Sequence, residues 1–133
     1  MLTKLLIRDE TTASLGKSEH TFTVHIPGEK ISIRELIRQR VTQEVEEFNT
    51  SQPAVFRMLI RPSDAERTSN GFKFRKPRPV DPVTQYKKAI EAFNGSGLIV
   101  LVDDYQMESL DTEIPLREET SVTFLKLTPL VGG

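Results

Sequence analysis

Ile33, Leu36, Ile37, Val41, Val45 and Phe48 recur at three- and four-residue intervals, so a helix through them carries a single apolar stripe. Such a stripe has to be covered, and the residues before it indicate by what. Phe22, Val24 and Ile26 alternate with Thr21, Thr23 and His25, the period of a strand buried on one face. Leu5-Leu6-Ile7, with polar flanks, reads as an earlier strand, and Ala13-Ser14-Leu15-Gly16-Lys17-Ser18 between the two is turn material; together they predict a hairpin. Pro27-Gly28-Glu29-Lys30 ends the second strand. Ser32-Ile33-Arg34-Glu35 then has the S-x-x-E form in which a hydroxyl and a carboxylate satisfy the free N–H groups of a helix start. The expectation is one amphipathic helix lying on a sheet.

Regularity falls between about 49 and 97, where Pro53, Pro62, Pro77, Pro79 and Pro82 interrupt the chain and polar residues dominate 63–70. This segment reads as an insertion with some structure of its own. Asp81 can cap a helix whose first residue is Pro82, with Val83, Tyr86, Ile90 and Phe93 as its apolar face and Asn94-Gly95 as its stop. Val55, Phe56, Met58, Leu59 and Ile60 are apolar enough to be read as a short strand. After the insertion, Leu98-Ile99-Val100-Leu101-Val102 is a continuous run expected of a central strand covered on both faces. Asp103 to Gln106 turns it, 107–114 holds a short edge strand, Arg117 to Thr120 is a second turn, and Val122 to Leu127 closes the sheet.

Composition removes several function classes. A net charge of -1 and a pI near 6.1 provide no global field for nucleic acid or an anionic membrane, so neither is expected as a partner. With no cysteine there is no disulfide framework and no thiol nucleophile in the chain. No run approaches the roughly 18 apolar residues of a membrane span, and the amino-terminal residues lack a secretory h-region, so a cytoplasmic setting is expected. No G-x-x-x-x-G-K-[ST] loop or G-x-S-x-G elbow is present, and no catalytic residue is assigned; the expectation is a protein that enzymes act upon.

Hairpin, helix, interruption, strand, short strand and last strand form an α+β order, that of a β-grasp domain with one main helix on a mixed sheet. Over the last third the match extends to motifs. Asp111-Thr112-Glu113-Ile114-Pro115-Leu116-Arg117-Glu118-Glu119-Thr120-Ser121-Val122-Thr123-Phe124-Leu125, leading through Pro129-Leu130-Val131 to Gly132-Gly133, resembles the carboxyl end of ubiquitin-like modifiers and ubiquitin-like sulfur carriers. In those families a leucine, an acidic turn, a valine-x-phenylalanine strand and a diglycine follow one another. The resemblance covers 1–48 by element order and 98–133 by motif as well; the small sulfur carriers lack the insertion at about 49–97. It implies a single ubiquitin-like domain over 1–133, with a second helix in the insertion and a flexible tail at 128–133.

The resemblance also implies a chemistry. A carboxylate is a poor acyl donor until it is adenylated, and in these families a partner activating enzyme does this with its own ATP, the carrier itself binding no cofactor and no metal. Glycine suits such a tail because any Cβ would collide with a narrow channel. Gly133 would supply the carboxylate and Gly132 the clearance, leaving a thiol an open approach. A conjugating enzyme, a deconjugating protease and target proteins complete the partners of a modifier, whereas a sulfur carrier converts the same adenylate to a thiocarboxylate. A third reading, a non-covalent β-grasp binding module, assigns the tail no role and gives the partner surface to the insertion. Thr128 and Pro129 favour an extended backbone ahead of Leu130 and Val131. If Val122 and Phe124 face the core, Leu125 faces away, where it either docks the activating enzyme or packs under the insertion.

Three other clusters have ordinary explanations. Phe72-Lys73-Phe74-Arg75-Lys76-Pro77-Arg78 mixes aromatic and basic residues but reads as a solvated strand or loop. Asp103, Asp104, Glu108 and Asp111 lack Ca²⁺-loop spacing and read as a polar turn. His20 and His25, five apart on one strand, point to opposite faces and share no metal.

Overall fold

The computed structural model describes residues 2–14 and 20–127. It is an α+β structure with a mixed five-stranded sheet and two helices. β1 (Leu2–Thr11) and β2 (His20–Pro27) pair antiparallel from Leu2↔Pro27 to Asp9↔His20, the expected hairpin. Its connection begins with a short 3-10 turn, Thr12–Ser14. β3 (Lys30–Ser32) leads into α1 (Ile33–Ser51), which Ser32 caps: its Oγ accepts from the Glu35 N–H at 3.1 Å. The whole stripe from Ile33 to Phe48 is buried.

In the insertion, β4 (Ala65–Thr68) and β5 (Gly71–Phe74) form a small separate hairpin, followed by α2 (Pro82–Asn94). The chain then returns to the main sheet as β6 (Leu98–Val102) and the edge strand β7 (Tyr105–Met107). β8 (Glu113–Pro115) pairs with β3, and β9 (Ser121–Lys126) completes the main sheet, whose order is β2-β1-β9-β6-β7. β9 runs parallel to β1 and antiparallel to β6, so the last strand sits at the centre.

Several expectations need correction. Residues 55–60 are not a strand. They make one isolated bridge, Phe56 to Phe72, with the Phe56 N–H donating to Phe72 O at 2.9 Å and the Phe72 N–H to Phe56 O at 2.8 Å. Phe56, Met58 and Leu59 are buried by side-chain packing instead of by a ladder. β6 is covered on one face only: Leu98, Val100 and Val102 are buried, while Ile99 and Leu101 on the other face are half-buried. On α2, Val83 points to solvent at 55% exposure, and the buried residues are Gln85 and Ala89. Gln85 can be buried because its Nε2 donates to Ile60 O at 2.7 Å. Phe72, read as part of a solvated segment, is buried in the same core as the sheet.

The acidic turn has a structural role. Asp103 and Asp104 both adopt positive φ (49° and 69°), as a two-residue hairpin turn requires, and Asp side chains tolerate this better than most. The Asp103 N–H donates to Ser121 O at 2.8 Å and its Oδ1 accepts from the Ser121 N–H at 2.9 Å, tying the turn to the start of β9. Among the described residues no group of three or more His, Cys, Asp or Glu could hold a metal ion. Among the described residues, likewise, no helix is long and apolar enough to cross a membrane.

Candidate functional site

β9 determines where the described chain ends. Val122 and Phe124 are fully buried on the helix-facing side of the sheet. Lys126 is opposite Thr11 on one side and Leu98 on the other, and the Leu127 N–H donates to Gly97 O at 3.0 Å. The chain is therefore fastened on both sides as far as Lys126 and on one side at Leu127. Thr128, Pro129, Leu130, Val131, Gly132 and Gly133 lie outside the described residues.

Leu125 alternates with Val122 and Phe124 onto the sheet's other face, between Glu10 of β1 and Ile99 of β6, and is half-buried. The same face carries Leu6, 40% exposed, and the half-buried Ile99 and Leu101. Thr123 in their midst is buried, between Arg8 and Leu101. Ile99 and Leu125 thus form a half-buried apolar patch beside the point where the described chain ends, with Leu101 beyond Thr123 and Leu6 farther off, opposite Ser121.

Beneath β9, on the helix side, lies a charge cluster that sequence reasoning missed. Arg40 of α1 is 1% exposed and its guanidinium grips Asp9 of β1 with both Nη atoms, the Nη2–Oδ2 distance being 2.7 Å. The guanidinium carbon stands 4.6 Å from the Phe22 ring centre and 4.7 Å from that of Phe124. Its Nη2 also reaches Glu44 Oε2 at 3.2 Å, and Glu44 Oε1 accepts the Leu59 N–H at 3.0 Å. One side chain thereby joins β1, β2, β9 and α1, and through Glu44 the insertion.

Burial opposes the Arg40 charge, but the Glu44 and Asp9 carboxylates outweigh it and raise its pKa further, so it stays cationic. Asp9 holds the better, two-pronged geometry. Glu44 is left with the weaker share, and burial pushes its carboxyl above the usual glutamate value. A signal for this cluster was present in the sequence: Arg40 and Glu44, an i,i+4 pair, stand on the apolar side of the helix.

His25 and His20 face opposite ways, as their spacing implies; His20 stacks on Phe22, with ring centres 5.1 Å apart. Burial lowers the His20 pKa, and Asp9 only partly offsets this. The basic-aromatic segment is also structural: Arg78 covers the Phe74 ring at 4.7 Å and Arg75 pairs with Glu66 at 2.9 Å. No protein-family model matches the chain, and no curated protein or solved structure does.

Proposed function

We propose that this chain is a β-grasp, ubiquitin-like protein modifier whose Gly133 is the acyl donor. The observation that carries the reading is the position of β9. The last strand is clamped between β1 and β6 and held at Leu127 by Gly97 O, so the described chain ends at the sheet directly ahead of the segment that carries Gly132-Gly133 in the sequence. The parallel β1–β9 pair at the centre of a mixed sheet, with one long helix behind it, supports the β-grasp assignment.

In this reading the Gly133 carboxylate attacks the α-phosphorus of ATP in a partner activating enzyme, forming an acyl adenylate and releasing pyrophosphate. A partner cysteine thiolate then attacks the acyl carbon and AMP leaves, giving a thioester. A target amine finally displaces the thiolate to form an isopeptide bond, and its proton passes to a base or water. Gly132 and Gly133 keep the reacting carbon accessible. Leu125, with Ile99 beside it, offers an apolar contact for the activating enzyme close to the tail.

The test incubates a tagged chain ending at Gly133 in native lysate with ATP, beside Gly133→Trp and a chain lacking Gly133. ATP-dependent adducts larger than the chain are expected for the first alone. Equal adducts from all three overturn the mechanism. If instead the free chain gains the mass of one sulfur-for-oxygen exchange, the adenylate is being used for sulfur transfer.

A further inference from the structure

The charge of the chain is divided unevenly. Residues 49–97 carry nine lysines and arginines against four aspartates and glutamates, while the rest of the chain carries nine against fifteen. Several of the inserted cations have structural tasks: Arg75 pairs with Glu66, Arg78 covers Phe74 and donates to Ser63 O, and Lys88 donates to Ser63 Oγ at 2.8 Å. Arg67 has none. It stands on the same face of β4 as the buried Ala65 and opposite the buried Phe72, yet it is exposed. Among the described residues its side chain makes no ion pair and no hydrogen bond. An arginine on the inward side of a hairpin with nothing to pair with is unaccounted for by the fold.

Arg67 stands at the waist of a cleft. Two cavities of about 350 and 450 Å³ adjoin between the insertion and the end of the sheet, and Thr11, Arg67, Phe72 and Lys126 line both. The first lobe has an apolar floor of Leu59, Ile60, Ala92 and Leu98, with the exposed Arg61 on its wall. The second is polar, formed by Thr68, Ser69 and Gly71 of the β4–β5 hairpin together with Arg57. Four cationic side chains therefore line the cleft. Among the described residues its sole carboxylate is Asp9, which Arg40 already grips. Glu10 belongs to the outer face of the sheet, beside Leu125. Unbalanced cations beside an apolar floor match a ligand that carries both negative charge and an apolar side chain.

We propose that this cleft binds an acidic peptide segment of a partner protein, one with an aliphatic anchor between its carboxylates. The anchor enters the apolar lobe against Leu59 and Leu98, and the flanking aspartate or glutamate side chains meet Arg67 and Arg61. Nucleic acid fits less well. Phe72, the one aromatic ring among the described lining residues, is buried and offers no face on which bases could stack, and a phosphate backbone gains nothing from the apolar lobe. Arg57, Arg61 and Arg67 all come from the insertion, so the site belongs to the part of the chain that the small sulfur carriers lack. It goes beyond the acyl-donor reading and stands without it, because no step at Gly133 uses these residues.

The test titrates the whole chain, in low salt, with three probes followed by amide NMR: the acetylated pentapeptide amide Ser-Asp-Leu-Glu-Ser, its counterpart carrying Lys for both acids, and an oligothymidylate of about ten nucleotides. The acidic peptide is expected to bind at least about tenfold tighter than the lysine one, with the largest shifts at the Arg67, Phe72, Gly97 and Leu127 amides. Serine in place of its leucine should weaken it about tenfold. Arg67→Glu should cost about tenfold or more in affinity, and Arg67→Gln, which loses the charge and keeps much of the length, about threefold or more. Lys73→Glu makes the same charge change on the opposite, exposed face of the hairpin and should leave affinity within about twofold. A smaller preference between the peptides, equal damage from Lys73→Glu and Arg67→Glu, tighter binding of the oligothymidylate, or no binding at about 1 mM peptide would overturn the proposal.

Discussion

The sheet with α1 and the segment at 52–97 bury similar side chains by different means. In the sheet, strand ladders satisfy the backbone and strict alternation selects which residues face α1. The inserted segment is short of ladders. Its β4–β5 hairpin is four residues a side, and between α1 and that hairpin only one bridge forms. Side chains take over the work. Asn49 brackets Val80, accepting its N–H at 2.8 Å and donating to its carbonyl at 2.9 Å, while Gln85 reaches Ile60 O, Arg61 reaches Ala65 O and Arg78 reaches Ser63 O. Phe48, Phe56 and Phe74 cluster in a triangle among these clamps, with ring centres 4.4 Å (Phe48–Phe56), 5.3 Å (Phe56–Phe74) and 5.8 Å (Phe48–Phe74) apart. An irregular segment can thus share the main core provided that amides and guanidiniums satisfy the backbone it leaves unpaired.

Arg40, through Glu44, is one of the places where the two regions are joined, and removing it is the largest disruption we expect. Arg40→Ala leaves Asp9 and Glu44 buried with no counter-charge, a loss of about 3–5 kcal/mol. Denaturant unfolding followed by hydrogen exchange should show protection falling together in β1, β9 and at Leu59. If the Leu59 amide keeps its protection while β1 loses it, Glu44 does not couple the insertion to the sheet.

Gly71→Ala should separate the regions instead. Gly71 has φ +145°, and a Cβ there would lie 2.3 Å from Phe56 O, on the bridge that holds the β4–β5 hairpin to the loop. The expected cost is about 1–3 kcal/mol, concentrated in the Phe56 and Phe72 amides, with β1–β9 exchange little changed. Uniform loss across both regions would make the molecule one cooperative unit. Asn49→Ala comes next, at about 1–2 kcal/mol, because it leaves both backbone groups of Val80 without their clamp.

This contrast also explains how much was legible in the sequence. The stripe of α1, the Ser32 cap, the alternation of Phe22, Val24 and Ile26, and the Asp81-Pro82 helix start are local signals, and each stands where its pattern placed it. The β3–β8 pair was not legible, since strands of three residues leave little pattern. The reading of 55–60 as a strand failed because apolar content reports burial and not pairing; the partner, Phe72, sits in a segment whose basic residues suggested solvent. Val83 was placed on the buried face of α2 by hydrophobicity, whereas Gln85 holds that face through its bond to Ile60 O. Leu125 was placed on the outer face by period alone, but nothing local showed that Thr123 beside it would be buried between Arg8 and Leu101. The Asp9–Arg40–Glu44 cluster needed the fold, because Asp9 and Arg40 are 31 residues apart.

The smallest expected effect tests the boundary itself. His20 stands at the start of β2 against Phe22 and lines the cavity that Phe56 and Arg57 close from the insertion side. Burial lowers its pKa below the ordinary 6.5, Asp9 and Glu47 oppose this, and Arg57 and Arg40 add to it. Above that ordinary value the imidazole is neutral in both folded and unfolded chains and contributes no pH dependence. As the pH falls below 6.5 the unfolded chain takes up the proton first, so stability is lost progressively until the folded histidine also titrates. Glu44, with its raised pKa, acts in the opposite sense on acidification, so the useful quantity is the difference in Tm between the native chain and His20→Gln across pH 8 to 5. That difference should change below about pH 6.5 and stay flat above it. A difference that is flat throughout would mean the cavity wall around His20 is as wet as the unfolded chain, and the insertion would then lean against the sheet there without sealing it.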